Sequence, residues 1–236
     1  MDARDQCRHE EVGLKSSAEK DTAMAAYQLY CFAQSGNAYR VALMLNLIAA
    51  DWEPIFVDFF NGETRTAAYR SAVNEMGEAP VLVHGARKLS QSGAILVYLA
   101  EKSGKFLPRD EETRLEALRW IIFDNQKIGG TLGPYRFLRN FAKPPGSPAV
   151  LEFLKGRADA ALGIFDTRLS HSSYLLGAEP TIADISLTSY LYYPPEEFGF
   201  DIAAQYQNIG AWLDRMKALP GWAHPYDLMP GYPLPT

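Results

Sequence analysis

The feature that most constrains the fold is a change of sequence pattern near Pro108. Before it, short apolar runs typical of strands, at 27–33 and 53–59, alternate with a segment at 41–48 whose apolar residues have helical spacing. After it, only helical patterns follow, and the proline-rich segment 144–148 separates two of them. The sequence therefore predicts an α/β unit followed by an all-helical one.

The α/β half is predicted to have the element order βαβαββα. Its first strand is apolar on both faces, which is typical of a central strand covered by helices. The elements after the second strand are a weak helix at 66–74, hairpin strands at 80–83 and 87–89, and a helix from Ser92 to about Gly104. The hairpin is expected to add antiparallel strands to the sheet.

The first 23 residues differ in composition from the rest of the chain. Ten of these 23 residues are charged, and almost none is large and apolar. Little burial could therefore offset the entropy that is lost when such a segment becomes ordered. We expect a flexible leader over 1–26, an α/β domain over 27–107 and a helical-bundle domain over 113–236.

Charge and hydropathy argue against several functional classes. The chain has 236 residues and a net charge of −5, without a basic stripe, so nucleic-acid binding is not expected. Its longest apolar run, Gly93–Ala100, is far shorter than the ~20 residues of a membrane span. Its first residues have no apolar core of the secretory type. We therefore expect a cytoplasmic protein without membrane contact.

Cysteines and histidines do not indicate a metal site or a disulfide framework. Cys7 and Cys31 are too few for a disulfide scaffold and lack zinc-ligand spacing. The four histidines lie in leader, turn and loop segments with no ligand spacing. No metal is expected, and the absence of a Cys-x-x-Cys motif excludes a protein dithiol relay.

Two strand-to-helix turns place polar side chains at a helix start. The turn at 34–37 combines the Ser35 hydroxyl and the Asn37 amide with free backbone N–H groups, where the helix dipole favours negative charge. The Gln91-Ser92 turn offers similar groups for a carboxylate. In both turns the structural alternative is a helix cap, formed by Ser35 or Asn37 in the first and by Ser92 in the second.

A proline begins the apolar strand after residue 79. Pro80 lacks the N–H that a strand ladder uses, so it belongs at a strand start. If the Ala79–Pro80 peptide is cis, Ala79 presents its N–H and C=O to a peptide-like ligand. An ordinary trans proline is the commoner alternative when this dipeptide is considered alone.

Together, the strand–Ser-x-Asn–helix turn, the strand-initial proline and the strand–Gln-Ser–helix turn resemble the glutathione-binding domain of glutathione S-transferases. That domain is thioredoxin-like and is followed by an all-helical domain. The resemblance covers about 27–222, and SGNAYRV and QSGAILVYLAEK resemble bacterial-type members. In the helical half, Thr181 and Asp184 resemble the capping box of the family, which we interpret as structural.

The resemblance implies that glutathione, as cosubstrate, lies across the three turns. Ser92, with Gln91, would hold the γ-glutamyl end. The backbone of Ala79, before a cis Pro80, would pair with the cysteinyl part. Arg65 could reach the glycyl carboxylate, although a solvated surface position is the favoured interpretation.

The sulfur position is implied by the first turn. Ser35 occupies the place where serine-type members donate a hydrogen bond to sulfur, and it is the catalytic candidate. Asn37 matches members that carry an amide there, and which of the two contacts the sulfur stays open. A free thiol has a pKa near ~8.5, and lowering it by two units requires ~2.7 kcal/mol. A hydroxyl donor to a charged sulfur supplies ~1.5–3 kcal/mol, so these groups are sufficient.

Residues around the expected second pocket are interpreted as structural. Large apolar residues usually fill interiors, so four aromatic residues on the family's cleft helices are assigned to the core: Trp120, Phe123, Tyr135 and Phe137. Cys31 lies within the first strand and away from the turn where cysteine-type members carry their thiol. We interpret it as a buried structural thiol.

The resulting hypothesis is a glutathione transferase acting on small hydrophobic electrophiles. One alternative is a glutathione-dependent disulfide-bond reductase or reductive ether-cleaving enzyme. Another is a non-catalytic binding module with the same fold. The family resemblance also implies a homodimer.

Overall fold

The computed structural model describes residues 25–234, where a four-stranded sheet is followed by helices. The strands are β1 Tyr27–Cys31, β2 Trp52–Phe56, β3 Val81–His84 and β4 Arg87–Ser90. Their order is β2-β1-β3-β4; β1 is parallel to β2, and β3 is antiparallel to both its neighbours. The strand β1 is therefore central, as its apolar sequence predicts.

Three helices complete the N-terminal half: α1 Gly36–Leu47, α2 Ala67–Ala72 and α3 Ser92–Ser103. Their placement confirms the predicted order βαβαββα and the thioredoxin-like class. The strands β1 and β2 both end before the predicted limits of 33 and 59. For β1 the reason is visible, because the Ala33 N–H leaves the sheet and donates to the Pro230 carbonyl at 2.7 Å.

The C-terminal half is helical, as predicted. Its helices are α4 Glu111–Phe123, α5 Gly129–Asn140, α6 Pro148–Leu169, α7 Ile182–Leu187, α8 Pro195–Phe198, α9 Ile202–Gln205, α10 Gln207–Lys217 and α11 Pro225–Leu228. A π-helical segment, Asp124–Ile128, joins α4 to α5. In the part of the chain described here, none of the helices is both long and apolar enough to cross a bilayer.

One apolar core extends through both halves of the molecule. Helix α1 packs against α3 and also against α5, α7 and α11 of the helical half. Ten of its twelve residues are buried, which accounts for the apolar character of the segment. The N-terminus of α1 therefore lies where the two halves meet.

The predicted capping box is confirmed at the start of α7. Asp184 is fully buried, and its carboxylate accepts hydrogen bonds from the Thr181 N–H at 2.9 Å, the Leu175 N–H at 2.9 Å and Trp212 Nε1 at 3.1 Å. Burial raises the pKa of Asp184, and these donors oppose that shift. This carboxylate thus joins α7, the preceding loop and α10.

The interpretation of Cys31 as a buried thiol is also confirmed. Burial in the core raises the pKa of its thiol to about 12, so it is protonated and inert at neutral pH. Cys7 and all but the last two residues of the predicted leader lie outside the described residues. The predicted limits of the two domains stay predictions.

Candidate active site at the junction of the two halves

The turn from β1 to α1 places Ser35 at the start of the helix. Ser35 is the N-cap of α1, and its Oγ accepts a hydrogen bond from the Ala38 N–H at 3.1 Å, so the capping role is confirmed. Capping uses the hydroxyl oxygen as an acceptor and leaves its hydrogen free to donate. Ser35 and Asn37 both line a cavity of about 580 Å³. The hydroxyl can therefore serve the helix and a ligand together.

The peptide between Ala79 and Pro80 is cis, as the peptide-binding hypothesis requires. Ala79 lines the same cavity, and its N–H and C=O make no hydrogen bond within residues 25–234. The preceding carbonyl, that of Glu78, accepts hydrogen bonds from the Tyr69 hydroxyl at 3.0 Å and from Asn74 Nδ2 at 3.1 Å. These two side chains fix the loop that presents Ala79.

The turn from β4 to α3 does not use Ser92 as a cap, which is the structural alternative for this turn. The N-cap of α3 is Gln91, with φ 66°, and no side chain caps the helix. Ser92 is the first helical residue, one position beyond the cap, and lines the cavity. The Gln91 amide instead donates to the Glu78 carboxylate at 2.6 Å, which ties this turn to the proline turn.

The structure brings all six predicted site residues around one groove. The 580 Å³ cavity and a smaller neighbour of about 260 Å³ share several lining residues. Between them, the two cavities are lined by Ser35, Asn37, Ala79, Pro80, Gln91 and Ser92. Two helix N-termini, those of α1 and α3, lie at this groove and favour negatively charged ligand groups.

Five phenylalanines form an aromatic wall beside the groove: Phe32, Phe59, Phe60, Phe137 and Phe141. The rings of Phe32 and Phe59 stack with centroids 4.7 Å apart, and Phe60 contacts Phe141 at 5.3 Å. The assignment of Phe137 to the core is wrong, because its side chain is 38% exposed at the cleft.

The other three assigned aromatic residues lie in or against the core. Trp120 and Tyr135 are buried, as predicted, and Phe123 packs partly buried against the core. Phe137 is exposed because it lies on the face of α5 that meets the N-terminal half at the cleft. Helical periodicity alone does not reveal which face of α5 meets that half.

Comparison with known proteins identifies the family. Models of the N-terminal and C-terminal domains of glutathione S-transferases match residues 25–101 and 148–215. A glutathione S-transferase of Arabidopsis thaliana is 30% identical, over 88% of this chain and 88% of the relative. The chain belongs to the glutathione S-transferase family.

The chain is also similar to two further proteins. A disulfide-bond oxidoreductase of Escherichia coli is 29% identical, over 80% of this chain and 89% of the relative. A glutathione transferase of Burkholderia graminis, solved with two glutathione molecules per subunit, is 27% identical with a TM-score of 0.71. That alignment covers 84% of this chain and 85% of the solved one.

Two buried cleft residues of this family member carry no sequence signal. Arg136, from α5, donates to the Gln34 carbonyl at 2.7 Å and to the Tyr226 hydroxyl at 2.7 Å, and its guanidinium lies 3.9 Å from the Tyr193 ring centre. Tyr190 also lines the cavity, and burial raises the pKa of its phenol, which therefore stays protonated.

Arg65 does not line the cavity that contains Ser35. Its side chain is exposed and lines an adjoining cavity of about 640 Å³, which shares the five phenylalanines of the aromatic wall with the 580 Å³ cavity. Its guanidinium lies close to Gly62, where an added Cβ would be 2.9 Å from Nη2. This position agrees with the solvated interpretation.

Proposed function

We propose that this protein is a glutathione transferase that acts on small hydrophobic electrophiles. The observation that carries the proposal is the convergence of three polar turns on one groove, directly beside the aromatic wall. Glutathione lies across the turns, and the electrophile packs against the phenylalanine rings. Family membership and the glutathione bound to the Burkholderia graminis relative support the assignment.

Two parts of the tripeptide, the γ-glutamyl end and the cysteinyl backbone, meet groups of matching chemistry. The γ-glutamyl carboxylate binds at the N-terminus of α3, where the Ser92 hydroxyl and free N–H groups are donors. The Gln91 side chain completes this end of the groove. The cysteinyl backbone pairs with the N–H and C=O of Ala79, which lines the cavity and makes no backbone hydrogen bond within residues 25–234.

The reaction begins with ionisation of the glutathione thiol at the start of α1. Ser35 is the catalytic residue, and its hydroxyl donates to the sulfur, while the Asn37 amide lies within the same turn. A hydrogen bond to a charged group contributes ~1.5–3 kcal/mol, which corresponds to a fall of one to two units in the thiol pKa. The thiol proton passes to solvent. The thiolate then attacks an electrophilic carbon, forms the C–S bond of a thioether and, with a halide substrate, displaces the halide ion.

Substitution of the first turn tests this function. Ser35→Ala is expected to lower the rate of conjugation to a nitroaromatic halide by roughly 10- to 100-fold at saturating glutathione. Asn37→Ala is measured beside it, and the larger loss identifies the sulfur's main donor. Ser71→Ala, an exposed serine on α2, is the matched control. Unchanged rates in both active-site variants would contradict the proposal.

The second candidate is reduction of disulfides by bound glutathione. It is favoured by the Escherichia coli relative and by Cys31, which is the only cysteine among residues 25–234 and is buried. Two glutathione thiols would be oxidised to glutathione disulfide while one substrate disulfide is reduced to two thiols. Reductive ether cleavage belongs to the same class.

Two assays separate these candidates from each other and from a non-catalytic module. Turnover of a nitroaromatic halide is compared with that of a small disulfide such as 2-hydroxyethyl disulfide. If only the disulfide is turned over, the assigned function is disulfide reduction and not conjugation. A calorimetric titration without glutathione binding would favour the module.

We propose also that two copies associate through α4. Three residues on one face of α4 are exposed although large and apolar: Leu115 at 68%, Leu118 at 43% and Ile122 at 50%. Exposing such an apolar face to water is unfavourable in free energy, and association with a second copy would bury it. Light scattering is expected to give a dimer, and Leu118→Glu a monomer. A monomeric parent protein would contradict the proposal.

A further inference from the structure

A buried cation lies directly behind the proposed sulfur site. Arg40, on α1, is 1% exposed. One guanidinium nitrogen, Nη1, pairs with the buried carboxylate of Asp124 and donates to Ser186 Oγ at 2.8 Å. Ser186 Oγ in turn donates to the Asp124 carboxylate at 2.7 Å. The carboxylate of Asp124 thus balances the charge of Arg40 through Nη1.

The other terminal nitrogen of Arg40, Nη2, holds two side-chain amides. It donates to Oδ1 of Asn37 and, at 2.6 Å, to Oδ1 of Asn125 from the π-helical segment. A guanidinium has only donors, so each amide must present its oxygen to Arg40 and its NH₂ group to the opposite side. The chemistry of the contact fixes the orientation of both amides.

The two NH₂ groups are directed at different parts of the groove. Asn37 lines both cavities and belongs to the turn of Ser35. Nδ2 of Asn125 lies beside Gly93, where an added Cβ would be 3.1 Å away, and Gly93 directly follows Ser92. Neither NH₂ group donates a hydrogen bond within residues 25–234. Both are therefore free to bind a ligand.

We infer that Arg40 is a positioning residue that turns the donors of Asn37 and Asn125 toward glutathione. Asn37 donates to the sulfur, and Asn125 donates to the γ-glutamyl carboxylate at the start of α3. This inference rests on the proposed function and extends it. A single buried guanidinium thereby orients the amide donors at both negatively charged groups of the ligand, the thiolate and the γ-glutamyl carboxylate.

The surroundings allow the amide donors to control the thiol. Arg40 contacts Asn37 and is paired with Asp124, and on the opposite wall Arg136 is paired with Glu197. The 580 Å³ cavity has no carboxylate in its lining, and the one carboxylate that lines the 260 Å³ cavity, that of Glu78, accepts a hydrogen bond from the Gln91 amide at 2.6 Å. Loss of amide orientation is therefore expected to appear directly in the ionisation of the bound thiol.

Arg40→Lys tests the positioning role. A lysine can pair with Asp124 as a point charge, but it lacks the planar fork that holds two amides on one nitrogen. The thiolate absorbance of bound glutathione, followed against pH, is expected to show a thiol pKa about one unit higher than in the parent protein. Asn37→Ala is expected to give the same rise, and the double variant no further rise.

Ser186→Ala is the matched control for the same buried network. It removes a hydroxyl that contacts Arg40 and Asp124 on the side away from the amides. Stability is expected to fall while the thiol pKa stays at the parent value. A parent-like thiol pKa in Arg40→Lys, with a raised one in Asn37→Ala, would overturn the inference.

Asn125→Ala provides a test that leaves the buried ion pair intact. Glutathione affinity is expected to fall several-fold without a change in the thiol pKa, and affinity for cysteinylglycine, which lacks the γ-glutamyl group, is expected to stay the same. Parent-like glutathione affinity would overturn the role of Asn125. If the parent protein itself binds no glutathione, it is the proposed function that fails.

Discussion

Replacing Asp184 by alanine removes the acceptor of two buried donors, the Leu175 N–H and Trp212 Nε1, and of two part-buried donors, the N–H and the hydroxyl of Thr181. A buried donor without a partner costs about 1–3 kcal/mol. Water entering the space left by the carboxylate will satisfy some of these donors. We therefore expect a loss of about 3–5 kcal/mol in the free energy of unfolding, which is a large part of the roughly 5–15 kcal/mol of an ordinary domain.

Urea unfolding followed by tryptophan fluorescence measures this loss, because Trp212 belongs to the affected network. The matched control is Asp110→Ala, which removes an exposed carboxylate that caps α4 by accepting from the Thr113 N–H at 2.8 Å. The control is expected to lose clearly less free energy of unfolding, because water can bond to the donors that the substitution leaves without a partner. Equal losses in the two variants would refute the reasoning that burial makes the difference.

Three further predictions concern the Cys31 thiol and two glycines. In a Cys7→Ser background, Cys31 is expected to resist a thiol dye at pH 8 until the protein is denatured. Since burial raises its pKa from 9.0 to about 12, its contribution to stability is complete below pH 9 and is lost as the pH rises toward 12; rapid labelling of the native protein would contradict this. Gly163→Ala, with no atom within 4 Å of the added Cβ, is expected to raise stability by about 0.5–1 kcal/mol in thermal unfolding. Gly133→Ala places its Cβ 2.8 Å from the hydroxyl oxygen of Tyr190, which lines the cavity, and is expected to lower turnover. Equal turnover in the two glycine variants would contradict a role of the close approach between Gly133 and Tyr190.

The features that were predictable from sequence are those encoded within a few neighbouring residues. The alternation of apolar strands with helical spacing sufficed for the βαβαββα order. The turn at Ser35, the proline at 80 and the turn at Ser92 each combine a strand end with polar or special residues. Their local chemistry marks them as site candidates.

The features that were missed depend on contacts between distant parts of the chain. Arg40 and Asp124 are 84 positions apart, and Arg136 lies 102 positions from the carbonyl of Gln34 to which it donates. No pattern among neighbouring residues predicts such pairs. Phe137 faces the cleft only because of how α5 meets the N-terminal half. The cap of α3 is Gln91, one residue before the Ser92 cap of the structural alternative, and its backbone takes φ 66°.

A crystal structure of the protein with glutathione bound tests the central claim most directly. We expect the sulfur within hydrogen-bonding distance of the Ser35 hydroxyl or the Asn37 amide nitrogen, with the γ-glutamyl carboxylate at Ser92. A sulfur atom far from both side chains, or an empty groove at saturating glutathione, would contradict the account.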